Sequence, residues 1–164
     1  MDYSLIFENF STWIEINLYF SILLFFIFIL FYSLFSLPGL VLFYVFAGFS
    51  FGIFMSYFIC VISVTIGCFG FFIFSKFFLN KLLNKKYKNF INKIDNFIND
   101  SSLEYLIVLR MIPGPPLLIV NLALSVLEIS NYKFIFSTLI GMTPIMLFSI
   151  LIGNKINNLT SLNN

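Results

Sequence analysis

The sequence predicts an all-α, polytopic membrane protein: transmembrane helices plus two opposed re-entrant helical hairpins arranged as an inverted repeat. Three observations carry this reading. Of 164 residues, 60% are hydrophobic and only 10% charged, too few charges to clothe a soluble surface. No charged residue occurs in the sixty positions from Ile16 to Ser75, whereas one crossing takes about 20. The apolar stretch from Leu103 to Leu127 is broken partway by Pro113-Gly114-Pro115-Pro116.

The whole chain, 1–164, reads as a single membrane domain. Its first fifteen residues hold Asp2, Glu8 and Glu15 but no lysine or arginine, unlike the start of a cleavable signal peptide, so the first apolar span is expected to stay. Residues 16–35 are expected to form a transmembrane helix and 56–75 another, which meets the cytoplasm at Lys76. Between them, 36–55 contains Pro38-Gly39 and later Gly48 and Gly52; these breakers favour a first re-entrant hairpin over a plain crossing. From Lys76 to Asn99 the apolar positions Phe78, Leu82, Tyr87, Phe90, Ile94 and Phe97 are interleaved with lysines. Six lysines between Lys76 and Lys93, opposed by no acid in that interval, place 76–100 as an amphipathic helix on the cytoplasmic leaflet.

Ser101 and Glu104 have capping-box spacing, so a new helix starts near the surface. Ten residues from Leu103 to Ile112 rise about 15 Å, half the hydrocarbon thickness. Three prolines in four residues then stop the helix, since each removes an amide donor and expels its predecessor from helical geometry. Segment 102–127 is therefore the second re-entrant hairpin, tolerable at that depth only where protein or a wet cavity covers it. Ser130 is positioned to cap a last transmembrane helix, 131–153. Trp13, Tyr3, Tyr32 and Tyr132 read as interfacial anchors. With both hairpins re-entrant, this layout puts the amino terminus inside and the carboxyl tail outside; a five-crossing layout fits the lysines about as well.

The halves resemble each other. Pro38 matches Pro113 at a displacement of 75, and Gly67 and Gly70 match Gly141 and Pro144 at 74. Paired, glycine- or proline-broken apolar segments point to a transporter core with a midplane site.

Several classes are excluded by composition. There is no histidine, and Cys60 and Cys68 lie inside an apolar span without metal-ligand or disulfide spacing, so no metal or cofactor is expected. Paired carboxylates and a phosphate-binding glycine loop are missing, which argues against an enzyme. The lysines sit on an amphipathic segment beside a membrane span, which favours lipid over nucleic acid.

Arg110-x-x-Pro113-x-x-Pro116, then Asn121, then Glu128 to Phe134, then Gly141-x-x-Pro144 and Gly153 together resemble the VTT-domain (SNARE-associated Golgi protein) branch of the DedA superfamily. Leu37-Pro38-Gly39 with Ala47-Gly48 and Phe51-Gly52 looks like that family's first re-entrant hairpin. The resemblance implies opposed hairpins, and movement of lipids or polyprenyl-phosphate carriers as in scramblases and translocators. By position it carries substrate contact to Arg110, Pro113, Gly114, Pro116 and Asn121 in one hairpin and Pro38, Gly39, Gly48 and Gly52 in the other. Ser125 stands where a glycine is expected and Lys76 where an arginine is common. Glu15, Glu104 and Glu128 fall at the ends of apolar stretches, so the intramembrane carboxylates of DedA proteins proper have no counterpart.

Arg110 is the sole charge between Glu104 and Glu128. Inserting a guanidinium at mid-membrane costs at least about 2.5–3.5 kcal/mol, which a wet cleft and an anionic phosphate offset. The rival is a side chain that snorkels from about 9 Å below Glu104 to the headgroups. Asn121 either contacts substrate or bonds across to the first hairpin. By their own residue chemistry Gly48, Gly52, Gly67, Gly70 and Gly141 are expected to be helix-packing positions more than ligand contacts, and Pro144 a kink or hinge. The expected function is transport of an anionic lipid or lipid-linked phosphate across a bacterial cytoplasmic membrane, with membrane lipids as partners and homo-oligomerisation compatible with it. An ion or small-metabolite transporter on the same core, or a non-transporting scaffold, are the alternatives.

Overall fold

The computed structural model describes residues 12, 14, 16–82, 103–112, 116–126 and 129–162. All secondary structure among them is helical: α1 (Leu18–Leu34), α2 (Leu40–Phe51), α3 (Ile53–Leu82), α4 (Leu103–Met111), α5 (Leu117–Val126), α6 (Asn131–Gly141) and α7 (Thr143–Leu162). Two stretches, Ile53–Phe78 and Asn131–Thr160, are long and apolar enough to cross a membrane. The second joins α6 to α7 through Met142, and Pro144 in the first turn of α7 has no amide to continue the α6 ladder.

Why α1 stops is visible in its last turn. The Ser36 amide donates to the Ser33 carbonyl at 2.9 Å and the Leu37 amide to Tyr32 at 3.3 Å, the paired bonds of a Schellman cap. That cap needs a residue at positive φ, usually glycine; here it is Ser36, at φ 49. Pro38 then bars a return to helix, and Gly39 at φ 97 redirects the chain into α2. The Tyr32 hydroxyl donates to the Pro38 carbonyl and so ties off the turn. Tyr32 is thus a turn residue and not the interfacial anchor expected of it.

Arms α1 and α2 run antiparallel. Phe28 meets Phe43 at 5.1 Å, and Phe25 meets Phe51 at 5.5 Å between ring centroids. The first hairpin therefore consists of α1 and α2, with its tip at Phe35 to Gly39. This revises the expected layout, in which 16–35 crossed alone and 36–55 formed a hairpin by itself: 36–55 holds one helix, closed by Gly52 at φ 73. Helix α3 follows at once and runs through Lys76 to Leu82, so the expected helix end at Lys76 is not there. No proline or glycine interrupts that stretch, and the Lys76 ammonium lies 5.5 Å from the Phe72 ring centroid. The rest of the expected interfacial helix, along with Ser101 and Pro113-Gly114-Pro115, lies outside the described residues. In the second half, α4 and α5 flank residues 112–116 where the proline-broken hairpin is expected. The Ser130 side chain caps α6 by accepting from the Lys133 amide at 3.3 Å.

Small residues set the helix contacts. A Cβ on Gly67 would lie 2.0 Å from Ser33 Oγ and 2.5 Å from the Leu30 carbonyl oxygen, so the last turn of α1 abuts the middle of Ile53–Phe78. The last turn of α4 abuts α6 in the same way, since a Cβ on Gly141 would lie 2.7 Å from Arg110 Cβ and 2.9 Å from the Ile107 oxygen. Second arms cross over: α2 packs on α7, where a Cβ on Gly48 would meet the Ile150 oxygen at 2.1 Å, while α5 packs on α3. Each hairpin thus leans its first arm on the long helix of its own half and its second arm on that of the other.

The surface is inverted relative to a soluble protein. Tyr19, Phe54, Phe74 and Phe148 point outward, whereas Ser33, Ser63, Ser137 and Thr138 are buried and spend their hydroxyls on carbonyls three or four residues back. In lipid an apolar exterior costs nothing, and close packing of small residues replaces hydrophobic burial as the force between helices. A graded loss follows for alanine substitutions. Gly48→Ala and Gly141→Ala, which press a methyl onto backbone, are expected to lower stability by about 1–3 kcal/mol. Gly70→Ala, which meets only the movable Leu34 Cδ1 at 2.8 Å, loses less. Thermal unfolding in detergent measures the order, and equal losses at all three positions would contradict it.

Candidate functional site

The two hairpin tips converge on one cavity of about 430 Å³. Leu37, Pro38, Gly39 and Tyr44 line it from the first hairpin, and Arg110, Ile112 and Pro116 from the second. Met142 and Ile145, at the junction of α6 and α7, complete the wall. The volume falls in the range of small-ligand pockets, and no carboxylate lines it among the described residues.

Arg110 sits on the last turn of α4, is 6% exposed, and faces inward. Snorkelling toward headgroups is therefore not what this side chain does. Its Nη2 donates to Asn121 Oδ1 at 3.3 Å, and its guanidinium carbon lies 4.6 Å from the Phe134 ring centroid. Phe134 is itself stacked on Phe72 at 4.2 Å, so an aromatic pair from α6 and α3 forms the floor beneath the cation. Asn121, fully buried on α5, passes its own Nδ2 proton to Ser36 Oγ at 3.0 Å. The result is a polar chain, Arg110 to Asn121 to Ser36, that reaches from the second hairpin to the tip of the first. Among the described residues, Arg110 Nε and Nη1 have no hydrogen-bond partner.

This chain explains Ser36. A non-glycine residue in left-handed geometry costs about 1–2 kcal/mol, and glycine would relieve it, but glycine has no hydroxyl to receive Asn121. Of the residues singled out by sequence, Arg110, Pro116, Pro38 and Gly39 line the cavity, and Asn121 is one hydrogen bond behind it. Gly48 is used in the α2–α7 contact and Gly52 at the α2–α3 break; neither lines the cavity. Pro113 and Gly114 lie outside the described residues. Gly67, Gly70 and Gly141 pack helices together. Sequence reasoning passed over Ser36, Tyr44 and Phe134. Ser36 had a local signal, a polar residue directly ahead of Leu37-Pro38-Gly39, but Tyr44 and Phe134 look like any aromatic in a chain with 25 phenylalanines and eight tyrosines.

Comparison with known proteins agrees with the resemblance read from the motifs. The VTT domain model matches residues 37–155, a stretch that takes in α2 to α6 entire and α7 as far as Lys155. An uncharacterized membrane protein of Arabidopsis thaliana is 28% identical over 140 residues, which cover 80% of this chain and 47% of that protein. A transmembrane protein 41 homolog of Dictyostelium discoideum is 24% identical over 161 residues, 96% of this chain and 48% of its own length. The chain thus spans about half the length of these curated relatives. No solved structure matches it. Since the matched domain takes in most of the chain and the site just described, the protein is a membrane protein of the VTT-domain family, in the DedA superfamily.

Proposed function

We propose that the protein carries an anionic lipid headgroup, or a lipid-linked phosphate, across its membrane through the cavity between the hairpin tips. The observation behind this is Arg110: a buried guanidinium, two of its nitrogens without partners, at a cavity lined by both hairpins. A buried cation left unpaired is costly, whereas one that meets a phosphate gains short charge-assisted hydrogen bonds. The apolar remainder of the wall suits acyl or prenyl chains better than a water-soluble solute. As a hypothesis for the transport path, the tips thin the barrier and Arg110 receives the phosphate while the tails stay in lipid.

The packing supports a re-entrant, inverted-repeat reading. Both tips stop beside the middle regions of the two long helices, and each half uses a glycine there, Gly67 or Gly141, to seat the first arm. On this reading only α3 and α6–α7 cross fully. With the lysine-rich segment after α3 facing the cytosol, the first hairpin enters from the outer side and the second from the inner side. The start of α1 and the end of α7 then share the outer side, which differs from the inside amino terminus drawn from sequence alone.

Two measurements test this. In liposomes with fluorescent phosphatidic acid, Arg110→Ala is expected to slow flipping at least tenfold, the order of one lost charge-assisted contact. Equal rates for variant and wild type would remove Arg110 from the path, and flux of a soluble anion without lipid movement would favour the small-solute alternative. For topology, single cysteines at Thr12, Asn131 and Lys155 are introduced after Cys60 and Cys68 are replaced by alanine. A membrane-impermeant thiol reagent is expected to label positions 12 and 155 from one side and 131 from the other. Labelling of 12 and 131 from the same side would refute the re-entrant first hairpin.

A further inference from the structure

We propose that the Tyr44 hydroxyl is a second anion-binding group in the inter-hairpin cavity, so that one phosphate is held jointly by Tyr44 of the first hairpin and Arg110 of the second. This rests on the reading of Arg110 given above and adds to it a partner from the opposite half.

Four buried side-chain polar atoms among the described residues lack a hydrogen-bond partner: Ser21 Oγ, Tyr44 Oη, Arg110 Nε and Arg110 Nη1. Three of the four belong to the two polar residues that line the same cavity from opposite hairpins. Buried polar groups are nearly always satisfied in folded proteins, and an orphan calls for a partner such as an ion or ligand. Tyr44 is 1% exposed and, with Phe72 and Phe134, among the bulkiest fully buried side chains. At the other two positions the chain uses phenylalanine, which fills similar space without a hydroxyl to desolvate. A phenol in the cavity wall is therefore a burden for packing alone. Tyr32, on the same hairpin, is different, because its hydroxyl is already committed to the Pro38 carbonyl.

The chemistry of the site selects its ligand. Arg110 offers only donors, the Tyr44 hydroxyl supplies another, and among the described residues no carboxylate lines the cavity to receive an ammonium group. Such a set complements a phosphate oxygen and gives choline or ethanolamine no counter-charge. It favours phosphate monoesters and anionic diesters over zwitterionic headgroups. Because α2 supplies Tyr44 and α4 supplies Arg110, a bound phosphate also bridges the hairpins, in parallel with the Asn121–Ser36 hydrogen bond.

The test uses the full chain in phosphatidylcholine nanodiscs with increasing dioleoyl phosphatidic acid, read out as binding and as thermal stabilisation. Tyr44→Phe keeps the ring and deletes one hydroxyl. It is expected to weaken phosphatidic acid binding about tenfold, the worth of a hydrogen bond to a charged acceptor. Its melting in pure phosphatidylcholine should be no lower than wild type, because an unpaired buried hydroxyl has been removed. Arg110→Gln is expected to abolish binding. Wild-type affinity in Tyr44→Phe overturns the role of Tyr44; if Arg110→Gln also binds normally, the anion-binding reading itself falls, whereas loss in Arg110→Gln alone leaves it standing. A competition arm with inorganic phosphate separates the sources. Competition that Tyr44→Phe weakens in proportion supports a site for bare phosphate, and phosphatidic acid binding without competition supports one for a lipid headgroup.

Discussion

A guanidinium held inside an apolar helical bundle is the constraint on which the other features depend. Removing a charge from water costs several kcal/mol even after relaxation, and Arg110 recovers part of this through Asn121 and the Phe134 face. Each of these partners fixes another element. Asn121 must sit on α5 facing α4, Phe134 must lie at the start of α6, and Phe72 of α3 must back it. Ser36 must accept Asn121 and therefore holds a backbone geometry that serine seldom takes. One buried cation thus accounts for side chains on four of the seven helical elements and on the turn between α1 and α2.

Such an arrangement needs backbones in close approach, and here lipid changes the physics. Apolar side chains gain nothing by leaving hydrocarbon for the protein interior, so the outward phenylalanines need no cover and association falls to van der Waals contact and buried polar bonds. Gly67 and Gly141 let the two first arms seat against the long helices, and Gly48 and Gly153 let α2 lie on α7. The hydroxyls of Ser33, Ser63 and Thr138 stay buried because each returns its proton to its own helix. The interior is small and polar-flecked and the exterior is greasy, as a membrane demands.

The all-helical class and membrane residence were legible because they rest on composition, and the end of α4 ahead of the prolines because prolines act locally. Arg110 and Asn121 were legible because a lone polar residue in an apolar run has to be explained. The hand of the first hairpin was not. In the charge-free stretch from Ile16 to Ser75 every face is apolar, so periodicity does not show which helices pair; the turn at Ser36 to Gly39 and the contact of the last turn of α1 with Gly67 do. The end of α3 was misplaced for a related reason, since a lysine marks where water begins but does not end a helix. Tyr44 was hidden among aromatics, and only its burial beside a cavity sets it apart. The bacterial membrane expected from sequence gains nothing from the two relatives named, both eukaryotic, whereas residence in a membrane does not depend on it.

The tips also show why specificity should lie in side chains here. Part of the described backbone at the two turns is already hydrogen-bonded. The Ser36 and Leu37 amides return to α1, the Pro38 carbonyl takes the Tyr32 hydroxyl, and the Pro116 carbonyl takes the Ile119 amide at 2.9 Å and the Val120 amide at 3.3 Å. Among the described residues, the buried side-chain atoms without a partner that belong to the cavity wall are those of Arg110 and Tyr44, one from each half, and a ligand that uses both must bind where the two halves meet.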